Sequence, residues 1–226
     1  MTKRIVAAGK RVEIQMVGDR RGPLILLNSD RGEGQAVFDE LPRLTRRDFV
    51  LASIEGLDWN GELSPWPSAA VFRGGEAFAG GGGEYLRALE GEILPAVEEA
   101  LPGEPTARVL AGYSLAGLFA LYGLHRSTRF DGAVSASGSL WYPGFLDYAR
   151  ENAPAAAPRA IYLSVGDREA RTRNPVMATV EENTARLAAL YRERGVETRF
   201  ELNPGNHFQE PALRTARGVA WMLERL

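Results

Sequence analysis

From residue 23 onward, short apolar runs alternate with segments whose apolar residues recur at helical spacing, and this restricts the fold more than any other feature. Runs that are apolar throughout belong to strands buried on both faces, as in parallel sheets flanked by helices. PLILLNS (23–29), FVLASIEG (49–56), ARVLAGY (107–113), FDGAVSASGS (130–139) and PRAIYLSVGD (158–167) each carry such a strand. VETRFELNPGNHF (196–208) reads as a further strand running into a turn, and the alternating RVEIQMV (11–17) as an edge-type strand. Helices are expected over 38–49 with Pro42 early in it, over 84–101 with a kink at Pro95, and over 114–127, 174–195 and 210–226. Asn174, Pro175 and Gly195 supply the cap, the first turn and the stop of the 174–195 helix. The order implies right-handed βαβ crossovers, an α/β class and a mostly parallel sheet covered on both faces. With 226 residues, 45% of them hydrophobic, one sizeable core and one domain (1–226) are expected.

Charge excludes some partners. Of 27 basic residues only Lys3 and Lys10 are lysines, and 29 acids leave a net charge of −2. No block of like charge stands out, so neither nucleic acid nor an anionic membrane surface is an expected partner. Cysteine is absent, which removes disulfides, thiolate nucleophiles and thiolate metal sites. The charged N-terminal stretch does not read as a secretory signal, and no run reaches 18 apolar residues. A soluble, cytoplasmic protein is the expectation.

Within ARVLAGYSLAGLFALYGL (107–124), Ser114 stands where the strand pattern becomes a helix pattern. Ligands of open α/β sheets sit beyond the carboxyl ends of the strands. Gly112-Tyr113-Ser114-Leu115-Ala116 is close to the G-x-S-x-G nucleophile elbow, with Ala116 in place of the second glycine. A helix cap is the simpler reading of a serine here. What sets Ser114 apart is that a strand precedes it and a helix follows. A serine nucleophile needs a base, and the chain holds two histidines. His125 lies 11 residues on, in the same helix, and reads as a packing residue. His207, in NPGNHFQE, follows the last strand and would emerge at the same sheet edge. The acid should follow the strand between them, where Asp167 and Glu169 are both candidates. Glu169 is preferred, and Asp167 could instead hold the loop through backbone N–H groups.

These segments together resemble the esterase family of α/β-hydrolases that includes esterase D-like enzymes, enterochelin (siderophore) esterases, feruloyl esterases and mycolyltransferase antigens. The resemblance rests on GGGGEYLRALEGEILPAVE, AGYSLAGLFALYGL, SASGSLWY, YLSVGDREA and NPGNHF. It implies an α/β-hydrolase fold, with Ser114 as nucleophile, His207 as base and Glu169 as acid. It also implies an oxyanion hole made by the backbone N–H of Leu115 with Ser29 or Asp30, and Trp141 near the mouth of the site.

The expected activity is hydrolysis of a small-molecule carboxylic ester through an acyl-enzyme, with no metal or cofactor required. Acyl transfer at the same site, or a non-catalytic binding protein on a hydrolase fold, are the alternatives. Residues 57–83 read as a long loop, and loops of that length usually bind or cover a ligand. Its Trp59 and Trp66, with Pro65 and Pro67, should border a pocket for an aromatic or bulky substrate. Pairing with a second copy as a homodimer is left open.

Overall fold

In the computed structural model, which describes residues 1–18, 21–71 and 74–226, an eight-stranded sheet carries the molecule. Its strands, with a two-stranded ribbon numbered in chain order, are β1 (Thr2–Ala7), β2 (Lys10–Val17), β3 (Leu24–Asn28), β4 (Phe49–Glu55), the ribbon β5 (Pro67–Ser68) and β6 (Phe78–Ala79), β7 (Arg108–Tyr113), β8 (Gly132–Ala136), β9 (Ala160–Gly166) and β10 (Glu197–Asn203). The sheet order is β1-β2-β4-β3-β7-β8-β9-β10. Pairing is parallel from β4 through β3 to β10, while β2 pairs antiparallel with both β1 and β4. Only β2 therefore runs against the rest, and the α/β class with a mostly parallel sheet holds.

The helices are α1 (Glu33–Leu44), α2 (Trp59–Glu62), α3 (Gly82–Ala88), α4 (Leu94–Ala100), α5 (Leu115–Arg126), α6 (Phe145–Glu151), α7 (Val180–Glu193) and α8 (Pro211–Leu223). Val37 and Leu41 of α1 join Val219 and Met222 of α8 on one face of the sheet. The other face packs against α3 to α7 through Leu86, Val97, Phe119, Phe145 and Leu187. All of β3, β8 and β9 is buried, which is why those strands are apolar without alternation.

Several elements depart from the sequence reading. β2 is an interior strand, because β1 pairs along its outer side. Its alternation reports a half-covered face rather than an edge position. β1 and α6 carried too few apolar residues at a regular period to be read. Helix α1 begins at Glu33 rather than 38 and ends at Leu44, so Pro42 lies in its last turn. Glycines hid that start. Gly34 is required where α1 crosses β4, since a Cβ there would lie 2.2 Å from Ser53 Oγ. The 84–101 helix is two helices joined by a π-turn over Leu89–Ile93, where the Leu94 N–H bonds the Leu89 carbonyl. This wider turn directly precedes Pro95, whose ring cannot complete an α-helical bond. The 57–83 segment is not loop throughout. It holds α2, the β5–β6 ribbon and the start of α3, and its residues 72 and 73 lie outside the described residues. Among the described residues no helix is long and apolar enough to cross a membrane.

Candidate active site

Ser114 sits between β7 and α5 with φ 56° and ψ −124°. Left-handed φ is costly for a non-glycine residue and tends to occur at functional turns. The turn is tight: a Cβ on Gly112 would lie 2.4 Å from the Ala116 methyl, so the glycine is required across from that alanine. As the first residue of α5, Leu115 has an N–H without an acceptor inside the helix, and the helix dipole is positive there.

Three side chains from three strand ends meet at this turn. His207 Nε2 lies 3.1 Å from Ser114 Oγ, and His207 Nδ1 lies 2.7 Å from Glu169 Oε2. The other oxygen of Glu169 accepts the Gly166 N–H at 2.7 Å and Arg214 Nη1 at 3.1 Å. Burial alone would push the Glu169 carboxyl up. The hydrogen bond and charge of His207, the Gly166 N–H and the Ser137 hydroxyl outweigh it, leaving the group below the usual carboxylate range. Asp167 turns elsewhere: its Oδ1 accepts the Gly205 N–H at 2.7 Å, and its own N–H bonds the Asn203 carbonyl. His125 is buried on α5, with Nε2 2.8 Å from the Tyr191 hydroxyl and far from this cluster, as its packing role requires.

A cavity of about 290 Å³ opens above Ser114. Trp59, Phe78, Trp141 and Met177 line it with apolar surface, and Phe208 stands at its rim. Trp66, expected beside Trp59, lines none of it. Its indole packs against Tyr142, Phe145 and Tyr148, and its Nε1–H donates to the Pro143 carbonyl. That ring holds the 57–83 segment onto α6. The oxyanion donors expected after β3 are engaged too. Ser29 N–H bonds the Ile54 carbonyl at 3.0 Å, and Asp30 N–H bonds the Glu33 carboxylate at 2.8 Å. Neither points its proton at a ligand in this arrangement.

Ser139, Phe208 and Arg214 were not singled out from sequence. The Ser139 hydroxyl lies 3.3 Å from Ser114 Oγ, and its N–H bonds the Ser114 carbonyl. SASGSLWY carried a signal for that neighbourhood, though not for this residue. Phe208 follows the histidine directly and is 86% exposed. Arg214 was one arginine among 25, on a helix read only for its apolar face.

Chemically, the array can pass a proton from a hydroxyl to an imidazole while a carboxylate holds the ring. The model of a family described as "Putative esterase" matches residues 50–211. "Uncharacterized protein YbbA" of Bacillus subtilis (strain 168) is 26% identical over 151 residues, 66% of this chain and 60% of that protein. This chain thus spans less than two thirds of that curated relative. Among solved structures, the siderophore hydrolase EstB from Aspergillus nidulans aligns with a TM-score of 0.74 and 21% identity, over 98% of this chain and 93% of the other. The enterobactin esterase FES from Shigella flexneri, crystallised in the presence of enterobactin, aligns with a TM-score of 0.71 and 25% identity, over 98% of this chain and 59% of the other.

Proposed function

Because the chain belongs to the Putative esterase family, we propose that it is a serine-dependent carboxylic ester hydrolase acting through an acyl-enzyme. The observation that carries this reading is the Ser114–His207–Glu169 chain of hydrogen bonds at 3.1 and 2.7 Å. Ser114 Oγ attacks the ester carbonyl as His207 Nε2 takes its proton. Glu169 accepts the Nδ1–H, fixes the tautomer and stabilises the imidazolium. The Leu115 N–H receives the developing oxyanion, and one such donor is worth roughly 3 kcal/mol in serine hydrolases. Asp30 N–H joins it only if the Glu33 carboxylate lets go. His207 then returns its proton to the leaving alcohol, and water, deprotonated by the same ring, releases the acid.

The aromatic cavity favours an aryl or bulky ester over a short alkyl one. The siderophore hydrolase and the enterobactin esterase make siderophore lactones a sensible arm of an ester panel beside aryl esters. The direct test is p-nitrophenyl acetate turnover: Ser114→Ala should lower kcat by at least about 1,000-fold. Turnover at the unaltered rate would remove the mechanism. A fluorophosphonate should label Ser114, and a protein that stays unlabelled is a binding relic rather than an enzyme.

A further inference from the structure

Arg214 lies behind the proposed acid, outside the 50–211 stretch that the family model matches and outside the motifs of the sequence. Its side chain is 2% exposed and that of Glu169 is 4% exposed, so this ion pair is shut away from water. Among the described residues the guanidinium has four partners: Glu169 Oε1 at 3.1 Å, Ser137 Oγ at 3.1 Å, Tyr113 Oη at 3.3 Å and the Pro204 carbonyl at 2.8 Å. Tyr113 immediately precedes Ser114, and its hydroxyl donates to the His207 carbonyl at 2.6 Å. Pro204 lies in the turn that presents His207. One guanidinium therefore touches the acid itself and the backbone neighbours of both nucleophile and base. Space for it is kept by Gly166, where a Cβ would lie 3.0 Å from Arg214 Nη1 and 2.3 Å from the Gly205 carbonyl.

A carboxylate this deeply buried tends to take up a proton unless a cation or hydrogen bonds hold its charge. A protonated Glu169 would donate to Nδ1 instead of accepting from it. The ring would then carry its proton on Nε2, facing Ser114, and could not act as a base. While the imidazole is neutral, Arg214 is the cation in contact with Glu169. Resting on the esterase reading, we propose that Arg214 is a positioning residue, whose guanidinium keeps Glu169 ionised and aimed at His207. A purely structural cross-link would leave the protonation of His207 untouched.

The groups facing the His207–Glu169 pair are few. Arg214 comes from α8, Tyr113 from β7 and Ser114 from the head of α5. Glu76 lines the same cavity. Asp167 is bonded to Gly205 and lies 3.9 Å from Arg168. The chain has only two histidines, so ring titrations can be followed by NMR, with His125 as internal reference.

In Arg214→Gln, the coupled His207–Glu169 pair should take up its first proton about one pH unit higher, read at the His207 ring and as the acid limb of kcat/KM. The kcat for p-nitrophenyl acetate should fall about 10–100-fold, from misplacement of the acid, with KM within about 2-fold. His125 should titrate as before. A folded Arg214→Gln protein whose His207 titrates where it does in the unaltered protein overturns the proposal. If that variant does not fold, Arg214→Lys decides. An ammonium keeps the charge but not the fork that spans four partners, so the His207 titration should hold while kcat falls. Unaltered kcat in the lysine variant overturns the proposal. The titration needs no ester turnover, so a failure of this coupling and a failure of the esterase reading are separately visible.

Discussion

Asp167 and Glu169 stand two residues apart at the end of β9, yet their environments divide the work between them. Glu169 is buried, bonded to the imidazole and held below the usual carboxylate range, while Asp167 binds the backbone of the neighbouring turn. Glu169→Gln should therefore lower kcat by about 100- to 10,000-fold, because the amide cannot enforce the tautomer. Asp167→Ala should leave kcat within about 3-fold and lower stability by about 1 kcal/mol, the worth of one hydrogen bond. Steady-state kinetics and urea titration of the two variants check this, and the reverse pattern would move the acid to Asp167. The strand-to-helix turn at Ser114 was legible from two small residues, Gly112 and Ala116, on either side of a serine. The engaged N–H groups of Ser29 and Asp30 were not, because a side chain three residues on, Glu33, decides where the Asp30 proton points.

Among the elements, strands and long helices were legible wherever one face or both faces were uniformly buried. Helix α5, buried at every position but Arg126, and strand β9 are such cases. Boundaries failed where a local clash or a missing N–H set them, as at Gly34 and Pro95. By its length, tryptophans and prolines the 57–83 segment reads as a long loop bordering a pocket. Its internal α2 and β5–β6 ribbon send its two tryptophans in opposite directions, one to the cavity and one to α6. Trp59→Ala should shift the preference between aryl and short alkyl esters several-fold in kcat/KM with little loss of stability. Trp66→Ala should lower stability by about 2–3 kcal/mol, less than for a fully buried tryptophan, and leave that preference unchanged. Thermal melts and an ester panel separate the two. Matched selectivity changes in both variants would contradict the division.

At the scale of the whole molecule, seven strands run the same way and deliver Ser114, Glu169 and His207 to one rim, which is why chain order and strand order alone brought the three together on paper. Acid stability is a property of this scale. Burial lowers the titration of His125 from 6.5 to about 4, the nearby Arg194 adds to this, and the carbonyls of Ala153 and Asn152 oppose it. The unfolded chain therefore binds more protons than the folded one between those values. Stability from the neutral ring is complete above about pH 6.5 and is lost as pH falls toward 4, by up to about 3 kcal/mol. Urea titrations across that range should show the loss, and His125→Phe should flatten it. An equal slope in the variant would place the cause in other groups. One last consequence comes from the seam between the β9 and β10 turns. Asp167 N–H meets Asn203, Asp167 Oδ1 meets Gly205, and the Arg168 N–H also reaches Gly205. Glu169 and His207 thus ride on a single welded corner, whereas the cavity's aromatic wall comes largely from separate stretches of chain. On the esterase reading, a lineage could therefore rebuild its menu of esters by swapping that wall, while the corner carrying Glu169 and His207 passes down untouched.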